Sequence, residues 1–136
     1  MSIEHRDVSA MVIAVLVLSA SSGCAGDANR ARAEDAVRLA AVALDDAGTS
    51  GGEDAAIEAA LGRSRRWLDQ SEQAVELWGA SGSLAYETSA PCLGSALGQL
   101  RDAFVRAGRP VPANLEEAEA LALDAGERPC AERVAP

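Results

Sequence analysis

Between Ile57 and Trp78 the residues Ile57, Leu61, Ser64, Leu68, Ser71, Val75 and Trp78 recur at alternating steps of four and three. This is the heptad seam of an α-helix packed at a shallow angle on its neighbours. It cannot serve a β-strand, whose side chains change face at every residue. The spacing predicts a helix from Glu53 to about Trp78. Ser64 and Ser71 are small enough within the seam to let another helix approach. Trp67 and Trp78 are eleven residues apart, three turns, which places them on one side of such a helix.

The segments on either side carry the same period. A first helix is expected from about Asn29 to Ala47, with Asp27 as N-cap, Gly48 as stop and Val37, Ala40, Ala41 and Leu44 on its inner face. Thr49 to Gly52 reads as a flexible turn. After Gly79 and Gly82 comes a short stretch, Ser83 to Ser89, holding the lone tyrosine, Tyr86. Pro91 suits the first turn of a new helix, and Leu93, Leu97, Leu100 and Phe104 carry that helix to Gly108. Gly94 and Gly98 form a smooth strip on it. Asn114 followed by Glu117 resembles a capping box, and Leu115, Ala118, Leu121, Ala122 and Ala125 give a last stripe before Gly126. Four helices with short connections predict an all-α fold, a small antiparallel up-down bundle, over residues 29–130, with 131–136 a frayed tail.

Composition narrows the chemistry. The 136 residues include 12 arginines, no lysine, 21 acidic side chains and one histidine, His5, for a net charge of −9. Without lysine there is no Schiff base and no P-loop lysine. Without a histidine in the bundle there is no Ser-His or Cys-His pair and no imidazole metal ligand. An acidic chain with 3% aromatics lacks the basic face that nucleic acid requires. No cofactor and no metal are expected.

Met11 to Leu18 form a continuous apolar run, followed by Ser19, Ala20, Ser21, Ser22 and Gly23, then Cys24. Even stretched from Val8 to Ala20 the run falls short of the roughly 20 residues a spanning helix needs. It has the proportions of a signal-peptide core before a small-residue cleavage zone. An apolar run ending in Ser-Gly-Cys resembles the lipobox of bacterial lipoproteins, although Ser21 stands where that class usually carries Leu, Val or Ile. The resemblance covers about the first 25 residues. It implies removal of residues 1–23, acylation of Cys24 as the new N-terminus, and residues 24–28 as a short tether. It also implies an exported protein held at the cell envelope by a membrane anchor, at the periplasmic face of the outer membrane if the cell is Gram-negative.

Export implies an oxidising compartment, where paired cysteines form disulfides. With Cys24 consumed by lipid, Cys92 and Cys130 remain as a pair. The third helix rises from Cys92, the fourth returns, and both sulfurs arrive at one end of a helical hairpin. A Cys92–Cys130 disulfide is therefore expected.

Candidate functional residues are few. Arg63, Arg65 and Arg66 form the one basic island, and with Trp67 and Trp78 they could offer a surface to an acidic partner or to lipid headgroups. The simpler reading is a solvated basic face beside core tryptophans. Glu116, Glu117 and Glu119 could bind a divalent cation, but acidic residues at a helix start also complement its dipole. Glu72 and Glu76 could in principle do acid–base work on a glycan, yet no aromatic cleft accompanies them. The expected role is binding or scaffolding with a protein partner, without catalysis. The alternative is a soluble exported protein holding a small apolar ligand near its tryptophans.

Overall fold

A computed structural model describes residues 28–125 and 129–131. The apolar run, Cys24, Asp27 and Gly126 lie outside the described residues. The bundle is the unit Arg32–Pro136; of the unit before it, Met1–Ala31, only 28–31 are described, and they are exposed and helical. Among the described residues there are four α-helices and no strand: α1 (28–50), α2 (Ala55–Glu76), α3 (Ala80–Arg106) and α4 (Leu115–Leu123). The fold is all-α, a small helical bundle.

Side-chain clusters fix the antiparallel order. Ala43, Leu44 and Ala47 late in α1 share one cluster with Ile57, Ala60 and Leu61 early in α2. Ala33 early in α1 shares a smaller cluster with Ala74 and Val75 late in α2 and with Tyr86 and Ala90 in α3. α4 lies against α3 so that Leu123 meets Gly94 and Glu119 meets Gly98. Each helix thus reverses the one before it.

The α2 seam packs as its spacing requires. Ile57, Leu61, Ser64, Leu68, Ser71 and Val75 are all buried, joined by the adjacent row Ala60, Trp67 and Ala74. Asp54, with extended backbone, caps the helix by accepting a bond from the Ile57 N–H at 3.0 Å. In α1 the buried face is rotated from the expected one. It runs through Ala33, Ala36, Ala40, Ala43, Leu44 and Ala47, while Val37 and Ala41 are only half-buried. Small side chains admit the closest helix approach, which favours turning the alanine row inward.

Three helix ends differ from the expectation. Gly48 does not stop α1, which continues to residue 50. Thr49 and Ser50 donate their hydroxyls back to the Asp45 and Asp46 carbonyls, and Arg109 donates to the Ser50 carbonyl. Of the last four carbonyls, that of Ala47 accepts from the Gly51 N–H and that of Ser50 from Arg109, and the reversal comes at Gly52 with φ +64°. Pro91 does not open a helix: α3 is one helix of 27 residues that passes through it. A proline inside a helix costs about 3 kcal/mol or more. Leu93 and Leu97, both fully buried just beyond it, each gain about 1.5–3 kcal/mol by leaving water, which offsets that cost. Lastly, Asn114 makes no side-chain cap bond. Its backbone is itself in the αR region (φ −95°, ψ 0°), where the side chain is not placed for an N-cap.

Candidate functional site

Cys92 and Cys130 are joined in a disulfide, with Cα atoms 4.6 Å apart. Cys92 sits in the core face of α3 beside Leu93, and Cys130 packs against the same cluster from the segment beyond α4. The covalent link holds 129–131 on α3 after the short α4 has ended.

Of the five residues expected at a partner surface, four lie along the middle of α2. Arg63 is half-buried and donates from Nε to Gln99 Oε1 of α3 at 3.0 Å, tying the two helices together. Arg65 is exposed and lies across the last turns of α1: a Cβ on Gly48 would stand 2.9 Å from its Nη2. A cation there meets the negative end of the α1 dipole. Arg66 places its guanidinium 5.5 Å from the centre of the Trp67 ring, within cation–π range. Trp67 itself is 6% exposed and belongs to the main core cluster, with no hydrogen-bond partner for its buried Nε1. Arg66 is left as the guanidinium that faces solvent over an aromatic ring.

Trp78 is elsewhere. α2 ends at Glu76, so Trp78 stands in the reversal that follows, half-buried against the smaller cluster with its ring 6.0 Å from that of Tyr86. The tryptophans therefore do not share a helix face. The three-turn spacing fails because the helix ends before the third turn closes. Burial pushes the Tyr86 phenol up to about 12, so it stays protonated across the physiological range.

The acidic candidates also resolve. Glu119 forms an ion pair with Arg101 of α3, while Glu116 and Glu117 are exposed in the first turn of α4. Glu72 and Glu76 are exposed on α2. Partial burial, then the neighbouring charges of Asp69 and Glu76, hold the Glu72 carboxyl above its ordinary value of 4.5. Among the described residues, no group of three or more His, Cys, Asp or Glu side chains could hold a metal ion.

Two features carried no sequence signal. Ser71 and Ser89 share a hydroxyl hydrogen bond of 3.0 Å in the core, joining α2 to α3. An open groove lies between the end of α2 and the start of α3, lined by Gln70, Gln73, Ala74, Leu77, Ser81 and Ala85. Both depend on which residues of α3 stand beside α2, and period alone does not give that.

Comparison with protein-family models, with curated proteins and with solved structures returned no match. No helix of the described residues is long and apolar enough to cross a membrane.

Proposed function

We propose that this chain is an exported, lipid-anchored helical bundle with a binding or scaffolding role at the cell envelope. The observation that carries the reading is the Cys92–Cys130 disulfide. Disulfides persist in oxidising compartments and are rare in the cytosol. With two of three cysteines joined, Cys24 is the one left for another chemistry, and it follows an apolar run and Ser22-Gly23. A lone acyl chain anchors a protein marginally, and two or more hold it stably, as the bacterial lipoprotein class would. A protein partner fits the role better than a substrate, because the bundle segment has neither histidine nor lysine.

Mass spectrometry of the N-terminal peptide from the membrane fraction tests the anchor. The reading requires a chain beginning at an acylated Cys24, and Cys24→Ser should release the protein or leave its precursor uncut. A soluble wild-type protein with an unmodified N-terminus would end it. Crosslinking in cells from the exposed Arg66 side of α2 then identifies what the bundle holds.

A further inference from the structure

We infer that the end of the bundle formed by the α2–α3 reversal is a contact surface for a zwitterionic lipid bilayer, entered by Leu77, Trp78 and Leu84. Leu77 is 75% exposed and Leu84 64% exposed, the two most exposed large apolar side chains among the described residues. They stand seven residues apart across one tight reversal. Leu77 lines a groove with Ala74, Ser81 and Ala85, and Leu84 follows Ser81 by three residues, on the same side of α3. The Leu77 carbonyl lies in the space that a side chain on Gly82 would occupy, so the two segments meet backbone to backbone at the corner. Trp78 sits beside it, half-buried, and tryptophan favours the membrane–water boundary.

The position of the chain start selects lipid as the occupant. Ala33 packs with Ala74, Val75 and Tyr86, so the bundle begins at the same end as the reversal. Residues 28–31 are helical, so Cys24 stands four residues before the first turn of α1, a span of at most about 14 Å. The opposite end, near residue 50, stands about 33 Å from residue 28 along α1, beyond that span. The inference rests on the anchor proposed above, because an acylated Cys24 would hold this end at the bilayer. Glu72, Glu76 and Glu87 near the reversal, with the net charge of −9, disfavour anionic headgroups. An apolar contact with zwitterionic lipid fits them.

The test uses the full chain, purified with its native N-terminus, in a Trp67→Phe background so that Trp78 is the one indole. It is reconstituted in phosphatidylcholine vesicles with plain or brominated acyl chains. Trp78 emission should be lost in brominated vesicles, and Leu77→Glu with Leu84→Glu should restore it while the protein still floats with the vesicles. Both leucines are exposed, so the double variant keeps its fold, checked by its thermal midpoint. If Trp67→Phe does not fold, the same comparison is read on the two-tryptophan protein. Equal emission in both vesicle types from a protein that floats would overturn the surface and leave the anchor standing. A concentration-dependent blue shift without vesicles would assign the leucines to a second copy instead, and also overturn it. A protein with no acyl group that stays soluble would remove the anchor and this inference together.

Discussion

Leu123 of α4 fills the space that a side chain at Gly94 of α3 would need. A Cβ on Gly94 would lie 2.7 Å from both Cγ and Cδ2 of Leu123 and 3.2 Å from its backbone nitrogen. The short α4 thus lies on the glycine strip of α3, and the Arg101–Glu119 ion pair stands one turn farther along the same interface.

Gly94→Ala is therefore expected to lower the thermal midpoint. Because Cγ and the backbone nitrogen are in the way, α4 itself must move, and overpacking of this kind costs about 1–3 kcal/mol. Gly62→Ala should do the reverse. A Cβ there meets nothing within 4 Å, and alanine is about 1 kcal/mol better than glycine inside a helix. Thermal melts of the two variants beside the wild type decide it; a stabilised Gly94→Ala would refute the close contact.

Leu97 and Leu77 give a second contrast. Leu97 is fully buried in α3, and truncation to alanine should cost about 2–5 kcal/mol. Leu77, 75% exposed at the end of α2, should lose within about 0.5 kcal/mol on the same change. Urea titrations of the isolated protein measure both, and equal losses would contradict the packing described above.

Reduction of Cys92–Cys130 should destabilise the bundle by about 4 kcal/mol in the chain-entropy picture, for a sequence separation of 38. Alanines form much of the core, so this is a large share of the net stability of a domain this size. Alkylation without reductant should leave both residues unmodified, and Cys92→Ser with Cys130→Ser should melt as the reduced protein does. Labelling of both thiols in the unreduced native protein would exclude the bond.

Glu72 sets a pH dependence with a definite sign. Its carboxyl is held above 4.5 in the folded state, by burial first and by Asp69 and Glu76 next. A carboxyl raised on folding favours the protonated form, so its ionisation weakens the fold at neutral pH. That penalty is complete above the raised folded value and disappears as the pH falls below 4.5. Glu72→Gln should thus raise the thermal midpoint slightly at pH 7 and leave it unchanged near pH 3. A gain that persists at pH 3 would assign the effect to something other than ionisation.

Large side chains at regular steps made the helices and much of the core legible in the sequence. Leu93, Leu97, Leu100 and Phe104 are all fully buried, and six seam residues of α2 face inward. The Cys92–Cys130 pair is expected once Cys24 is assigned to lipid, and the two are joined. The candidate site was less legible. Arg63, Arg65, Arg66 and Trp67 are close along the chain, but that does not say which of them a neighbouring helix engages. Gln99 takes Arg63, the end of α1 takes Arg65, and Arg66 keeps the outer side of Trp67.

The helical class, the α2 seam and the leucine face of α3 follow from the residues alone, because each rests on large side chains whose spacing has one physical solution; the cysteine pair needs the further expectation that Cys24 is taken by lipid. Where local signals yield depends on the packing between helices. Gly48 stays helical because Thr49 and Ser50 tie the turn back to Asp45 and Asp46 and Arg109 serves the Ser50 carbonyl beyond it, and Pro91 stays helical because buried leucines on the same helix offset its cost. The alanine row of α1 turns inward because small side chains admit the closest approach. Capping and breaking preferences amount to about 1–3 kcal/mol at single positions, and burial summed over several side chains exceeds them.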